Sequence, residues 1–422
     1  MAGKWVGRRI KRKEDPRLIQ GLGHYVDDIH FPGTLYMAFS RSPYAHAKIR
    51  SIDTSAARNM PGVVEVLTGA DIRGKLGNVP SAGTLPGLKV PDHPCLALGK
   101  VCHVGDPVAV VIAEDRYLAT DAVEKIDVNY DPLPVLVDAE KASRKSTPPI
   151  HKKFKDNIAY VLKSKSGDWS KIEKQKKSLV VIKQRLINQR LAPVAIEPRG
   201  ILAKYSPGED QLSIWTSTQI PHLAKTQLSL MLGMDEAHVR LVAPEVGGGF
   251  GSKLNVYAEE GLACYASRKL GRPVKWIETR RENMQATIHG RDQIDDLEIY
   301  ARKDGKVMGL KCQVIADLGA YFQLLTPLIP TSTPMMIVGG YTIPMLDLVT
   351  IGVFTNKMAT DAYRGAGRPE ATYIIERVVD LVAHELGLDP VDVRRKNFPR
   401  PRQGPLTLAT GVTYDSSNYQ GA

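Results

Sequence analysis

The run DPVAVVIAE at 106–114 constrains the fold more than any other stretch of this sequence. It is apolar without alternation, as a strand is when both of its faces are covered. The surrounding text supplies neighbours for such a strand. LYMAFSRS (35–42), AKIRSID (47–53) and VVEVLTG (63–69) have strand character, while TSAARN (54–59) and RYLATDAVEKI (116–126) have helical character. DVNYDPLPVLV (127–137) returns to extended chain broken by prolines. Strands and short helices alternate, so the fold class is α/β, or α+β.

The pattern also divides the chain. Residues 1–20 read as an irregular arm and 21–138 as a compact α/β region. Residues 139–178 are polar, rich in Lys and Ser, carry Pro148 and Pro149, and read as a linker. A second region spans 179–400. Strands are expected at 238–244 and 272–279, with a strand end at Ile214–Thr216. Helices are expected at 222–233, closed by Gly233, and at 255–271, where Ala258, Leu262, Ala263, Ala266 and Leu270 share one face. Asp304 and Gly305 mark the turn of a β-hairpin over 295–321. A helix opens at Pro369, with Ala371, Ile375, Val378, Val379, Val382 and Leu386 along one side. A short Pro-initiated helix follows, and 401–422 is polar and Gly-rich.

Composition narrows the function. The 57 Lys+Arg against 45 Asp+Glu leave a formal net charge of +12, but the basic residues are spread. The densest runs, RRIKRK (8–13) and KIEKQKK (171–177), have the character of solvated surface. Aromatics are 6% of the chain, too few to interleave with the basic residues as nucleic-acid binding wants. No apolar run reaches the ~18–20 residues that span a bilayer. The basic N-terminus lacks the apolar core of a secretory signal, so a cytoplasmic location is expected. Cys95, Cys102, Cys264 and Cys312 contain no CxxC pair, which disfavours a resident iron–sulfur cluster. His93, Cys95, Cys102 and His103 carry zinc-type donor atoms, but their spacing matches no common zinc pattern.

Two loops stand out. APEVGGGFGSK (243–253) joins a strand to a helix, and its consecutive glycines let backbone N–H groups approach a ligand. It is not a P-loop, since position 252 is Ser252 and Leu254 follows Lys253, and it lacks the third glycine of a dinucleotide fingerprint. A tight structural turn and a ligand cradle both fit. DAYRGAGRPE (361–370) pairs Gly365 and Gly367 with Arg364 and Arg368 ahead of a helix. It suits either an oxyanion site or a helix-capping loop. Gln219, in WTSTQIPH (215–222), has both a donor and an acceptor, and fits a satisfied loop residue as well as a ligand contact.

These loops occur in a frame that resembles a known family. GHYVDDIHFPGTLYMAFSRSPYAHAKIRSIDTSAARNMPGVVEVLTGADI (23–72) and VGDPVAVVIAEDRYLATDAVEKIDVNYDPLPVLVD (104–138) are similar to the opening of the large, molybdopterin-binding subunit of molybdenum hydroxylases. That superfamily comprises xanthine dehydrogenase, aldehyde oxidase and aerobic carbon monoxide dehydrogenase. NQRLAPVAIEPRG (188–200), STQIPH (217–222), VGGGFGSK (246–253) and TNKMATDAYRGAGRPEATYIIER (355–377) match in the same order.

The resemblance implies an α/β hammerhead domain followed by the first part of a molybdenum-cofactor domain. It implies a molybdenum–molybdopterin cofactor, in its cytosine dinucleotide form, with no protein side chain ligating the metal. Gln219 matches the glutamine that bonds the apical oxo ligand. Gly248, Gly249, Phe250 and Gly251 match the loop beside metal and pterin, and Ala362, Tyr363, Arg364 and Gly365 the active-site floor. Gln219 and Arg364 are the catalytic candidates, and Leu254 and Arg291 candidates for the substrate pocket. Gly365 stands where carbon monoxide dehydrogenases carry a copper-binding cysteine, so copper is not expected. The family's glutamate base lies in a C-terminal motif that no Glu here matches, so 401–422 reads as a truncated segment. The expected activity is oxidation of an aldehyde or similar small substrate with water as oxygen source. Turnover needs the C-terminal half of the cofactor domain on another chain, a [2Fe–2S] subunit and an FAD subunit. The alternative is a non-catalytic cofactor-holding or assembly module.

Overall fold

The computed structural model describes residues 5, 7–419 and 421. The rest of the expected arm and of the 401–422 segment, residues 1–4, 6, 420 and 422, lie outside the described residues.

Its largest sheet has seven strands. In spatial order these are Val239–Val242, Gln211–Thr216, Gly200–Ser206, Val274–Ile277, Leu35–Arg41, Pro107–Ala113 and Val63–Thr68. PVAVVIA is buried at every position, as its unbroken apolar pattern requires. Helix Arg116–Val123 lies on one face of the sheet, where Ala119 and Ala122 pack on Val66 and Val111. Helices Pro221–Leu232 and Ala258–Leu270 cover the other face, where Leu228 and Leu262 join Leu35, Ile112 and Ile201. Burying each such large aliphatic side chain contributes about 1.5–3 kcal/mol.

Leu35 pairs in parallel with Val274, so the first and second regions share one continuous sheet. The seam carries a buried ionic network. Arg41 contacts Glu259 (2.7 Å) and Glu282 (2.9 Å), and Arg199 contacts Glu259 (3.1 Å) and Glu278 (2.8 Å). The Arg199 guanidinium also lies 3.7 Å from the centre of the Tyr257 ring. Burial alone would raise the Glu259 carboxyl, but Arg199 and Arg41 overcome that and hold its pKa at about 2.

A second sheet has five strands, in the order Ile158–Ser166, Met345–Val353, Val307–Asp317, Gln293–Ala301 and Val180–Asn188. The expected hairpin forms about Gly305, whose φ is +87°. Helix Arg368–Leu386 packs Ile375, Val378, Val379 and Val382 against this sheet. A small three-stranded sheet (Lys100–Val101, Ala47–Asp53, Asp127–Pro132) completes the first region.

The expected linker is corrected by these strands. Within 139–178, Ile158–Ser166 pairs antiparallel with Met345–Val353 as an edge of the five-stranded sheet. Ala139–Ala142 and Ser170–Gln175 are short helices in the same stretch. Lys163 and Lys165 are exposed while Ala159 and Tyr160 are buried. Lysines facing water are what an edge strand tolerates, and they gave the segment its linker-like composition.

The zinc-type cluster is ordinary packing. His93 stacks on Tyr321 with ring centres 4.5 Å apart, and burial lowers its pKa to about 4. Cys95 and Cys102 are buried, and among the described residues no group of His, Cys, Asp and Glu could hold a metal ion. No helix of the described residues is long and apolar enough to cross a membrane.

Candidate active site

The loop leaving strand Gln211–Thr216, the Gly-rich loop and the loop before helix Arg368–Leu386 converge. Gln219 donates its backbone N–H to Lys253 O (2.8 Å), and its side-chain Oε1 accepts the Gly251 N–H (2.8 Å). That bond fixes the carboxamide and leaves Nε2, on an exposed residue, without a protein partner among the described residues.

The glycines are dictated by contact. A Cβ on Gly249 would lie 2.3 Å from Gln219 Oε1. Gly251, at φ +102°, would place a Cβ 1.6 Å from Ala362 O. Phe250 is itself in the left-handed region, at φ +53°. Its carbonyl accepts the Arg364 N–H (2.9 Å), which ties the second special loop to the first.

This geometry leaves backbone donors free. Among the described residues the amides of Gly248, Gly249 and Phe250 donate to no protein group, nor do those of Tyr363 and Gly365. Consecutive unpaired N–H groups on a left-handed turn form a concave anion cradle. The exposed Arg364 side chain, which makes no bond to protein among the described residues, adds a fixed positive charge beside it.

Several groups behind the cradle carried no sequence signal strong enough to single them out. Lys253 is buried and bonds Glu197 (2.7 Å), which also accepts the Gly247 N–H (2.7 Å). Burial pushes the Lys253 ammonium pKa down and Glu197 pulls it back up. Asp361 is fully buried beneath the second loop and accepts from the Ala362 and Leu325 amides and from Thr326. Burial raises its pKa to about 6, against the opposing pull of these donors.

The pocket candidates sit behind the cradle. Leu254 is half-buried and donates its N–H to Gly251 O (3.0 Å). Arg291 turns to the underside of the second loop, donating to Tyr363 O (3.0 Å) and Arg364 O (2.8 Å). At Gly365 the φ is +100°, and a Cβ would meet Pro369 Cγ at 2.3 Å. This backbone accepts no side chain there.

Comparison with known proteins gives the site a context. The aldehyde oxidase and xanthine dehydrogenase a/b hammerhead domain matches residues 20–134, and the molybdopterin cofactor-binding domain matches 150–398. The carbon monoxide dehydrogenase large chain of Afipia carboxidovorans is 39% identical over 98% of this chain and 52% of its own length. The chain thus spans about half the length of that relative. The nicotinate dehydrogenase large molybdopterin subunit of Eubacterium barkeri is 30% identical over 98% of this chain and 93% of its own length. Among solved structures, quinoline 2-oxidoreductase from Pseudomonas putida 86 superposes with a TM-score of 0.94 at 34% identity, covering 99% of this chain and 53% of that one. A Cu,Mo-CO dehydrogenase superposes with a TM-score of 0.90 at 37% identity, covering 99% of this chain and 54% of that one.

Proposed function

Because the chain belongs to the molybdopterin-binding large subunits of the aldehyde oxidase and xanthine dehydrogenase family, we propose that it supplies one half of a molybdenum hydroxylase active site. The substrate class is an aldehyde or similar small molecule. The observation that carries this reading is the set of amides at Gly248, Gly249 and Phe250 that donate to no protein group among the described residues, beside the Gln219 carboxamide.

The residues fit the group. Its anionic parts suit the amides of Gly248–Phe250 and of Tyr363 and Gly365, and a Cβ at Gly249 would displace Gln219 from the cradle. When bound, a molybdenum–pterin group supplies two-electron oxidation with water as the oxygen source. The chain's own contribution is to bind and orient. Gln219 offers Nε2 as a donor held in place by the Gly251 amide, and Arg364 offers positive charge toward a polarised substrate or cofactor oxygen. Ala362 and Gly251, in close contact, lock the two loops into one surface.

The general base is proposed to be a glutamate on a further segment of the large subunit, and electrons to leave through [2Fe–2S] and FAD subunits. The near-complete coverage of the Eubacterium barkeri subunit supports a polypeptide of this size acting as one of several. The cytosine dinucleotide form of the pterin, a cytoplasmic location and the absence of copper complete the proposal. The Gly365 contact with Pro369 supports the last of these, since a cysteine there would need a different loop.

The test is co-production of this chain with the remaining half-subunit and the electron-transfer subunits, followed by metal and pterin analysis and an aldehyde-dependent dye-reduction assay. Bound molybdenum with activity is expected. Bound molybdenum without activity across aldehydes and N-heterocycles favours the cofactor-holding module, and no bound molybdenum under any co-production sinks the enzyme reading.

A further inference from the structure

We infer that Arg291 is a positioning residue, which fixes the shape of the Ala362–Gly365 loop from behind through two backbone carbonyls. The inference rests on that loop forming part of the cofactor site.

The geometry begins with a strained turn. Arg291 and Asp292 are successive non-glycine residues in the left-handed region, at φ +65° and +62°. L-residues rarely adopt that conformation, and it persists only where the surroundings over-determine it. Here they do. His289 N–H bonds Ala359 O (2.9 Å), Asp361 N–H bonds His289 O (2.8 Å), and Gly290 exchanges bonds with Leu191 (2.8 and 3.1 Å). Past the turn, Asp317 N–H bonds Asp292 O (3.0 Å), and the Asp292 carboxylate is held by Arg190 and Lys357.

The turn aims one side chain. Arg291 reaches Tyr363 O and Arg364 O with separate Nη atoms, its guanidinium lies 4.7 Å from the centre of the Tyr363 ring, and Nη1 is 3.4 Å from Glu370. Glu370 is fully buried in the first turn of the following helix. A planar fork reaches two successive carbonyls and a carboxylate from separate nitrogens held in a fixed plane, whereas the donors of lysine all radiate from one nitrogen on a flexible stem. Gly290 has its own part, since a Cβ there would lie 2.5 Å from Tyr363 Cβ. Arg291 thereby sets the direction of the Tyr363–Gly365 segment, in which the Tyr363 and Gly365 amides donate to no protein group among the described residues.

The experiment is site-resolved amide hydrogen exchange on the full chain and on the assembled enzyme, for Arg291→Ala and Arg291→Lys. The reporters are the Arg364 amide, bonded to Phe250 O, and the Ala366 amide, bonded to Tyr363 O. Arg291→Ala is expected to speed their exchange on the order of tenfold or more, as loss of two charge-assisted bonds dictates. Strand Gln293–Ala301 should keep its protection, and Arg291→Lys should fall between. Unchanged exchange at Arg364 and Ala366 overturns the inference. So does an equal rise along Gln293–Ala301, which would mark a merely structural residue. Bound molybdenum separates the two readings: a loosened loop that keeps full metal content retires the loop's cofactor role and leaves Arg291's positioning role standing.

Discussion

Gly251→Ala tests the convergence of the two loops directly. The new methyl would sit 1.6 Å from Ala362 O and 2.7 Å from its carbonyl carbon, with the residue at φ +102°. Backbone is the obstacle, so no rotamer change relieves it. Left-handed strain and overpacking together cost roughly 2–6 kcal/mol if the loops stay in place. The loops need not stay. They are joined by the Arg364–Phe250 hydrogen bond, and a shift of Gly251 also strains its bond to Gln219, each with a net contribution of about 0.5–1.5 kcal/mol. Opening is the cheaper response and caps the stability loss at about 1–3 kcal/mol. Gly249→Ala differs, because its obstacle is the flexible Gln219 side chain at 2.3 Å, which can swing away for the loss of one hydrogen bond. Urea unfolding should therefore rank Gly251→Ala below Gly249→Ala in stability. Metal analysis of the assembled enzyme should show lost molybdenum in both. A Gly251→Ala protein with unaltered unfolding and metal content would refute the two-loop cradle.

Arg199→Met removes the cation between two buried carboxylates, Glu259 and Glu278, and should lower unfolding stability by about 3–5 kcal/mol in a denaturant titration. Asp295 is fully buried, neither carboxylate oxygen has a hydrogen-bond partner among the described residues, and burial, reinforced by Glu370, raises its pKa to about 7. The folded state then holds a proton that the unfolded state loses above its ordinary carboxylate pKa. Stability from this group falls as pH rises from about 4 to about 7, and Asp295→Asn should flatten that slope in pH-dependent thermal melts. Glu259 contributes with the opposite sign: its depressed pKa gives stability that is lost as pH falls from about 4.5 through about 2. Gly365→Cys alone should not install copper, because its Cβ meets Pro369 Cγ at 2.3 Å; stoichiometric copper by elemental analysis would contradict that geometry.

Local text carried much of the fold. The buried strand Pro107–Ala113, the hairpin at Gly305 and the apolar faces of helices Ala258–Leu270 and Arg368–Leu386 each follow from a short pattern of residues. What stayed hidden depends on distant partners. Ile158–Ser166 reads as linker because an edge strand's outward lysines look like solvated coil until Met345–Val353 lies beside it. Nothing local to Glu259 announces its burial, which rests on Arg41 at the end of strand Leu35–Arg41 and Arg199 just ahead of strand Gly200–Ser206. Of the site, the special loops are legible as glycine-rich turns at helix starts. The side of the loop that Arg291 serves is not, since Gly290–Asp292 and Tyr363 meet only in the tertiary structure.

The shared seven-stranded sheet bears on how the chain is born. Strand Leu35–Arg41 borders Val274–Ile277, which the ribosome delivers roughly 240 residues later, on the order of ten to fifty seconds at ordinary elongation rates. Through that interval the nascent hammerhead region presents an apolar strand with one open hydrogen-bonding edge. Strand Gly200–Ser206 waits likewise, because it too borders Val274–Ile277. That four-residue strand is the keystone whose arrival joins two unfinished sheets, and until then both edges are natural clients for a chaperone.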